Sequence, residues 1–420
     1  MGVAFSFLRH VLRPTEQLHN EKLSQPLDPN TALADELRGQ KIHVDMTNSF
    51  CNWPSGARNP HYERLQIECN RLLEIGVPDP ERCRKFKKSD FALFSVLWWP
   101  YADWEDLYTA MLFTVALFVW DDTIDTNEHT LASSFEDAEI WRNESLAYFK
   151  YHLQLSAQDQ EPYCPDDICL LFKEFAERFC QNFGQEQRCR MFSKIEHFVA
   201  HNKLEQAERL AGRIPSYDEY MNIRYGVTGV RMFTLLLEIT QKTTLPEWVM
   251  ESPEMAEIVE ECNFIIIIIN DILSLKKEIA TDCVVNLVPV LYKSGQTLDR
   301  VIPHLIDEMH ASRDRLDRAA AKLHAMTAGD AQLSQDVMTF IDGIRIMDTG
   351  TLEYSIKAMS AMAEVAHARG HSREQMIIRQ RESDSIRLFE WNERLSITFA
   401  RPSHAHEVFA LSIKPSPITL

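Results

Sequence analysis

The chain has 420 residues, of which 45% are apolar and 10% aromatic, enough for one large domain or two of ordinary size. Its formal net charge of −18 argues against nucleic acid or an anionic membrane as a partner, because both are bound through Lys and Arg. A small anionic ligand would have to be held by local cations or metal ions.

Proline outlines the first elements of the chain. Residues 1–40, with prolines at 14, 26 and 29, are predicted to be a loosely structured leader. A helix is expected between Pro60 and Pro78, because proline fits the first turn of a helix but breaks its interior. An aromatic-rich helix over 91–99 ends at Pro100. The next helix begins after Asp103, a suitable N-cap, and runs to residue 125.

Helical periodicity continues through most of the remaining chain. Further helices are expected at about 167–182, 189–210, 216–239, 253–278, 287–294, 297–326 and 332–365. Gly226 and Gly229 favour a break within the third of these. Five isoleucines at 265–269 would suit a strand, but the helical pattern on both sides predicts a buried helix. The predicted fold class is all-α, with one domain over 41–365 and a polar C-terminal extension over 366–420.

Cysteine usage and the N-terminus indicate the compartment. Nine scattered cysteines form no CxxC pair and no zinc-binding spacing, which is typical of a reduced, cytoplasmic protein. The first residues lack the charged region, long apolar region and cleavage site of a secretory signal. The most apolar segments, 91–99, 111–120 and 264–269, are shorter than the about 20 residues that span a bilayer. We therefore expect a cytoplasmic protein without a membrane span.

Three aspartates follow an apolar run at the end of a predicted helix. Asp121 and Asp125 lie one turn apart on one face, and Asp122 lies about 100° around the helix from Asp121. Carboxylates at a helix C-terminus oppose the helix dipole by about 0.3–1 kcal/mol and repel one another, so a cation should compensate them. Their oxygens suit Mg²⁺, which takes one or two carboxylates together with phosphate oxygens. Taken alone, the cluster fits either a metal site or a solvated helix end.

A second set of oxygen-bearing side chains ends the isoleucine helix. Asn270, Ser274 and Glu278 are spaced by four residues, so they line one face over about 12 Å. An amide, a hydroxyl and a carboxylate form a hard-cation site of low charge, and Lys277 beside them can bind a phosphate. Taken alone, this set also fits an ordinary amphipathic helix end. Two such rims that face each other would form the mouth of an apolar cavity, suited to a diphosphate with a hydrocarbon tail.

In this order and at this separation, the two motifs resemble those of class I terpene synthases, most of all the microbial sesquiterpene cyclases. The first cluster matches the aspartate-rich motif, and the second matches the Asn-Ser-Glu motif with its lysine. Arg224, 46 residues before Asn270, matches the position of the diphosphate-sensing arginine. Residues 227–229 resemble the effector segment that follows it, with a shift of one residue. The resemblance covers roughly residues 41–365 and implies a class I terpenoid synthase helical bundle around an apolar cavity.

The resemblance also implies an activity. A prenyl diphosphate would ionise with Mg²⁺, and the allylic cation would cyclise with release of diphosphate. The resemblance implies farnesyl diphosphate as the substrate and a sesquiterpene as the product, and geranyl or geranylgeranyl diphosphate stays open. The implied metal ligands, for three Mg²⁺ ions, are Asp121, Asp122, Asp125, Asn270, Ser274 and Glu278, and the implied diphosphate ligands are Arg224 and Lys277. Such an enzyme would be a lyase of secondary metabolism, and a homodimer is the expected oligomer.

Two alternatives stay open. A prenyltransferase that elongates prenyl diphosphates is disfavoured, because such enzymes would carry a second aspartate-rich motif where this chain has Asn-Ser-Glu. A non-catalytic helical binding protein could keep the same scaffold. The chain has no DxDD sequence, so proton-initiated cyclisation has no visible acid.

One departure from the family pattern lies in the last predicted helix. The family usually ends this helix with an Arg-Tyr pair that contacts the diphosphate, whereas this chain has Ser360 and Ala361 at those positions. Lys357, one turn earlier, could substitute for the arginine, and an unreplaced neutral position fits equally well.

Aromatic side chains near the motifs could stabilise a carbocation by cation–π interaction. Phe118, one turn before Asp121, is the first candidate, and Tyr354 is the second, although core packing would also explain both. Asp166 and Asp167 follow a proline at a helix start, where capping explains them. Structural roles are expected for the histidines, including His61, His197, His201 and His304.

Overall fold

The computed structural model describes residues 28–46, 48–125, 130–368, 393–398 and 414–415, with the side chains of Asp125 and of residues from 359 onward outside the description. The helices of the N-terminal half are α1 (Pro29–Leu37), α2 (Tyr62–Gly76), α3 (Pro80–Ser89), α4 (Phe91–Trp98), α5 (Trp104–Asp125), α6 (Thr130–Ser133), α7 (Phe135–His152), α8 (Asp167–Asn182) and α9 (Gln185–Ala211). Those of the C-terminal half are α10 (Tyr217–Val227), α11 (Val230–Phe233), α12 (Leu237–Thr240), α13 (Glu247–Met250), α14 (Pro253–Ile279), α15 (Leu287–Lys293), α16 (Leu298–Thr327) and α17 (Ala331–Ala368).

Helices packed around one core form the domain, which confirms the predicted all-α class. The isoleucine segment of α14 is buried and helical, and α14 packs against α16 and α17. On the other side of the domain, α5 packs against α8, α4 and α2. Between these groups, α9 packs closely against α10. The domain therefore has two long buried helices, α5 and α14, each of which ends in one of the predicted motifs.

Local signals in the sequence explain several helix ends. Asp28 accepts a hydrogen bond from the backbone N–H of Thr31 and caps α1, whose first residue is a proline. Ser216 and Glu219 form a capping box at the start of α10. The predicted break lies where expected, because Gly229 adopts a φ of 73° and separates α10 from α11.

The structure corrects the predicted leader. Helix α1 lies within residues 1–40, and its buried side chains Leu33, Ala34 and Leu37 belong to the main core. Arg38, just after α1, donates to the backbone oxygen of Ile279 at 2.9 Å. The ordered domain therefore begins earlier in the chain than residue 41, and the rest of the leader, residues 1–27, lies outside the described residues.

A small antiparallel sheet was not predicted. Strand β1 (Lys41–Val44) pairs with β2 (Glu393–Thr398), with Lys41 opposite Thr398, and β2 pairs with β3 (Lys414–Pro415). This sheet attaches part of the predicted C-terminal extension to the start of the domain.

The length of the apolar part of α5 was underestimated. Within the described part of the chain, one helix segment, Trp104–Ile124, is long and apolar enough to cross a membrane, and its most apolar stretch is completely buried in the fold. Complete burial inside a protein core is sufficient to explain this composition. The shorter run identified from the sequence is the middle of this core helix.

Candidate active site

The first two aspartates of the α5 cluster are buried but have different partners. Asp121 is 3% exposed, and its Oδ1 accepts a hydrogen bond from Nδ2 of Asn202 on α9 at 3.0 Å. Asp122 is 2% exposed, and its Oδ2 accepts from Nε of Arg82 on α3 at 3.2 Å. Asp125 is the last residue of α5, and its side chain lies outside the description. Asp121 and Asp122 therefore point to different neighbouring helices.

Arg82 ties the second aspartate to the end of its own helix. Its guanidinium also donates to Oγ1 of Thr123 at 2.8 Å and to the backbone oxygen of Val119 at 3.3 Å. A buried ion pair of this kind fixes the geometry of both partners. This ion pair makes Asp122 an anchor between α3 and α5, and its predicted role as a metal ligand stays a prediction.

Arginines compensate the unfavourable charge at the end of α5. Besides Arg82, Arg209 on α9 donates to the backbone oxygen of Ile124 at 2.7 Å and to that of Ala132 at 3.3 Å. A cation at a helix C-terminus interacts favourably with the helix dipole. The requirement for a compensating cation, inferred from the sequence, is thus met at least in part by the protein itself.

Arg224 lies in contact with the second motif. Its guanidinium donates to Oδ1 of Asn270 at 2.5 Å and to Oδ1 of Asp271 at 3.0 Å. Asp271 also accepts from the hydroxyl of Tyr220 and, at 3.1 Å, from the backbone N–H of Leu287. The structure therefore brings the predicted arginine into direct contact with the first residue of the Asn-Ser-Glu motif. Asp271, which was not predicted from the sequence, also binds this arginine.

Electrostatics keep this arginine charged. Burial alone would lower the pKa of Arg224, but the negative charge of Asp271 and the neighbouring Tyr220 raise it overall. Burial, followed by the charge of Asp271, raises the pKa of Tyr220 well above its ordinary value. Arg224 is thus a buried cation held in place by a carboxylate and a neutral phenol, 8% exposed.

Asn286 connects the other two residues of the second motif. Its Nδ2 donates to Oε2 of Glu278 at 2.8 Å and lies 3.5 Å from Oγ of Ser274. Its own Oδ1 accepts from the backbone N–H of Val288 and caps α15. Asn286 was not predicted from the sequence, although a polar residue directly before the apolar run that begins at Leu287 is a typical N-cap signal.

The remaining predicted ligands differ in what surrounds them. Lys277 is partly buried on α14, two turns after Asn270 and close to the same face. Lys357, the predicted substitute for the missing arginine, donates to Glu353 one turn earlier on α17. Ser360 and Ala361 lie in α17 with their side chains outside the description. The ion pair with Glu353 gives Lys357 a local structural role.

Phe118 belongs to a buried aromatic cluster beside the aspartates. Its ring stacks on Phe91 with the centroids 5.1 Å apart and meets Phe94 edge-on at 5.2 Å. The ring of Phe233 lies tilted against it, with the centroids 6.0 Å apart. Tyr354 meets Phe94 edge-on at 5.5 Å, and its hydroxyl donates to the backbone oxygen of Ser89. Both side chains therefore have packing partners that account for their burial, while Phe118 retains its position one turn from Asp121.

The residues assigned structural roles behave accordingly. Asp166 accepts from the backbone N–H of Ile168 and caps α8, and the nine cysteines are free.

His197 accepts from Arg231 at 2.5 Å, and burial, with His201 and Arg231 nearby, lowers the pKa of His197 to about 4. His197 is therefore neutral and acts as a hydrogen-bond acceptor.

The donor set fits Mg²⁺ better than a softer metal. Among the described side chains there is no group of three His, Cys, Asp or Glu that could hold a metal ion. The predicted ligands are instead two carboxylates, one amide and one hydroxyl. They belong to the buried Asp121, Asn270 and Ser274 and to the partly buried Glu278. Mg²⁺ tolerates few protein ligands when phosphate oxygens and water complete its octahedral shell.

Helices α9 and α10 connect the two motifs, through Asn202 to Asp121 and through Arg224 to Asn270.

Comparison with known proteins places the chain among terpene synthases. Residues 112–315 match the family described as terpene synthase family 2, C-terminal metal binding. The chain is 26% identical over 339 residues to sesquiterpene cyclase hepA of Aspergillus oryzae, covering 79% of this chain and 91% of that protein. It is 27% identical to (+)-eremophilene synthase of Sorangium cellulosum, covering 70% and 86% of the two chains. The fold is similar to that of the solved α-eudesmol synthase, with a TM-score of 0.63, 19% identity and coverage of 73% and 97%.

Proposed function

With the metal-binding domain of terpene synthase family 2 and the fold of solved terpene synthases, the chain is a class I terpene synthase of the microbial type, and we propose that it cyclises farnesyl diphosphate to a sesquiterpene. The observation that carries the proposal is the contact of Arg224 with Asn270 at the head of a helix face that also carries Ser274 and Glu278. In the proposed enzyme a buried cation would lie beside a hard-cation site, as a diphosphate–metal ligand requires.

Asp121, Asp125, Asn270, Ser274 and Glu278 would hold Mg²⁺ ions, three in number by resemblance to the family. Bound Mg²⁺ supplies Lewis acidity that neutralises charge on a departing diphosphate. Arg224 and Lys277 would bind the diphosphate oxygens directly, and Arg224 is oriented for this by Asp271. Because Arg224 is already fixed by Asp271 and Asn270, little reorganisation is needed when charge develops on the leaving group.

The apolar residues of α5 and α14 would protect the carbocation. An allylic cation survives ring closure only where water and strong bases are excluded. Phe118 is one turn from Asp121, and a ring face within about 6 Å of a desolvated cation contributes about 2 kcal/mol. We therefore propose that Phe118 stabilises positive charge near the ionisation site, with Tyr354 as the second candidate.

Cyclisation is favoured over chain elongation. The second metal motif is Asn270, Ser274 and Glu278 rather than a second aspartate-rich sequence. Of the relatives reported above, one is named a sesquiterpene cyclase and another (+)-eremophilene synthase. A cytoplasmic location and a homodimer belong to the same proposal.

Purified protein incubated with Mg²⁺ and, separately, ten-, fifteen- and twenty-carbon prenyl diphosphates tests the function. Analysis of hexane extracts by gas chromatography–mass spectrometry should show cyclic fifteen-carbon products that disappear with EDTA. Longer diphosphates formed after addition of isopentenyl diphosphate would instead indicate a prenyltransferase. No turnover of any of the three substrates would contradict both enzymatic functions and leave a binding protein.

A further inference from the structure

Helix α9 presents a buried polar stripe to the end of the aspartate helix. Asn202, Gln206 and Arg209 are spaced by four and three residues, so they share one face of α9. Asn202 and Gln206 have no exposed surface. The stripe contacts both sides of the connection after α5, because Gln206 donates to the backbone oxygen of Leu131 at 2.7 Å and Arg209 donates to that of Ile124.

Arg142 on α7 determines how the two amides are oriented. Its Nε donates to Oδ1 of Asn202 at 3.2 Å, and its guanidinium also donates to Oε1 of Gln206. A guanidinium has donors and no acceptor, so each amide must turn its oxygen toward Arg142. The NH₂ group of Asn202 is then directed to Asp121, and that of Gln206 to Leu131. Arg142 is itself 1% exposed, so water does not replace it as the hydrogen-bond donor to the two amides.

The consequence for Asp121 is a fixed carboxylate. Nδ2 of Asn202 lies 3.0 Å from Oδ1 of Asp121, and Asp121 is 3% exposed. A carboxylate that accepts a hydrogen bond from a donor without rotational freedom has one preferred orientation. Outer partners of this kind orient metal-binding carboxylates, and their removal weakens metal binding by about 10–100-fold.

We propose that Asn202 is a positioning residue that fixes the carboxylate of Asp121 for metal binding, with Arg142 setting the direction of its amide. This inference rests on the proposed function, in which Asp121 holds Mg²⁺. Asn202 itself contacts neither substrate nor metal in this account.

Binding of Mn²⁺ with inorganic diphosphate tests the proposal without any turnover. Free Mn²⁺ gives a strong electron paramagnetic resonance signal that is lost on binding, so a titration measures the affinity directly. Asn202→Leu removes the donor to Asp121 at similar volume, and should weaken Mn²⁺–diphosphate binding by about 10–100-fold. Gln206→Leu is the matched control, because Gln206 has the same burial, the same helix and the same Arg142 partner but does not touch Asp121. Its affinity should stay within about threefold of the wild type.

The outcomes separate the inference from the function on which it rests. If Asp121→Ala binds Mn²⁺ and diphosphate as tightly as the wild type, the proposed metal site is wrong. If Asp121→Ala weakens binding while Asn202→Leu does not, or weakens it no more than Gln206→Leu, the positioning role is overturned. Circular dichroism establishes that each variant is folded. Should Asn202→Leu fail to fold, Asn202→Ser provides a smaller polar side chain. Its hydroxyl is one bond shorter than the amide and does not reach Asp121, so the same loss of affinity is expected.

Discussion

The guanidinium of Arg224 donates to Oδ1 of Asn270 at 2.5 Å, which joins α10 to the second predicted metal motif on α14. The two residues are separated by 46 positions in the sequence. Asp271 accepts from the same guanidinium, so Arg224 has a fixed direction before any ligand binds. In the proposed enzyme, this contact joins a diphosphate-binding residue to a metal-binding residue.

Replacement of this arginine by lysine should impair catalysis more than folding. Arg224→Lys keeps the positive charge near Asp271 but cannot donate to two side chains in the fixed fork geometry of a guanidinium. We expect kcat/KM for farnesyl diphosphate to fall about 10²-fold or more, since single preorganised donors contribute on this scale. Arg231→Lys is the matched control, because Arg231 pairs with Glu260 outside the motifs. Equal losses in both variants would show that Arg224 has no special role.

The ion pair between Arg82 and Asp122 should matter for stability. Asp122→Ala leaves Arg82 buried without its carboxylate, and loss of one partner of a buried pair costs about 3–5 kcal/mol. Urea unfolding should therefore show a marked decrease in the free energy of unfolding. The apparent Mg²⁺ affinity of the folded fraction should change far less than in Asp121→Ala. A larger effect on Mg²⁺ affinity than on stability would instead support Asp122 as a metal ligand.

Asn286 should influence the second metal site from outside it. Asn286→Ser keeps a side chain that can cap α15 but removes the amide that donates to Glu278 at 2.8 Å. The apparent Mg²⁺ affinity in a steady-state assay should fall by about 10–100-fold, as is usual for partners of metal ligands. Thermal unfolding without metal should change little, because the cap is retained. An unchanged Mg²⁺ dependence would limit Asn286 to the capping of α15.

Asp348 makes folding stability depend on pH. It lies in α17 with no exposed surface. Burial raises the pKa of Asp348 well above its ordinary value, although the thiol of Cys262 opposes this shift. The folded protein therefore keeps the proton that the unfolded chain loses near pH 4. Its contribution to stability is fully present below that pH and is lost as the pH rises toward the higher pKa of the folded state, by up to about 1.4 kcal/mol per pH unit.

Asp348→Asn tests this dependence. The amide does not titrate, so the variant should gain stability relative to the wild type as the pH increases. Urea unfolding at about pH 4.5, 6 and 8 should show a growing difference in the free energy of unfolding in favour of the variant. Parallel pH profiles for the two proteins would mean that Asp348 is ionised in the folded state.

The fold could be predicted from the sequence where helix signals were local and strong. Proline, N-caps and apolar periodicity placed α2, α4, α5, α8 and α14 within a few residues of their observed ends. Helix α7 was missed, since Phe135–His152 mixes charged and apolar residues without a clear stripe. The sheet that joins β1 to β2 depends on pairing across some 350 residues, which no local pattern encodes.

The site was predictable only in part, for a related reason. Asp121, Arg224 and Asn270 are marked by spacing along one helix or by resemblance to the family. The contacts of Asn202 with Asp121, of Asp271 with Arg224 and of Asn286 with Glu278 are set by tertiary packing. An isolated polar side chain carries no signal of the residue it will meet. The pairing of Asp122 with Arg82 likewise depends on the approach of α3 to α5.

The comparison that tests the proposed cyclisation most directly is the product profile of the wild type and of Asn270→Ala and Ser274→Ala with farnesyl diphosphate and Mg²⁺. Gas chromatography–mass spectrometry of the wild-type extract should show a cyclic fifteen-carbon product that is lost with EDTA. Each variant should form that product at least about 10-fold more slowly while unfolding as the wild type does. Full activity in both variants, or a wild-type product that persists without metal, would contradict the second metal site and with it the proposed mechanism.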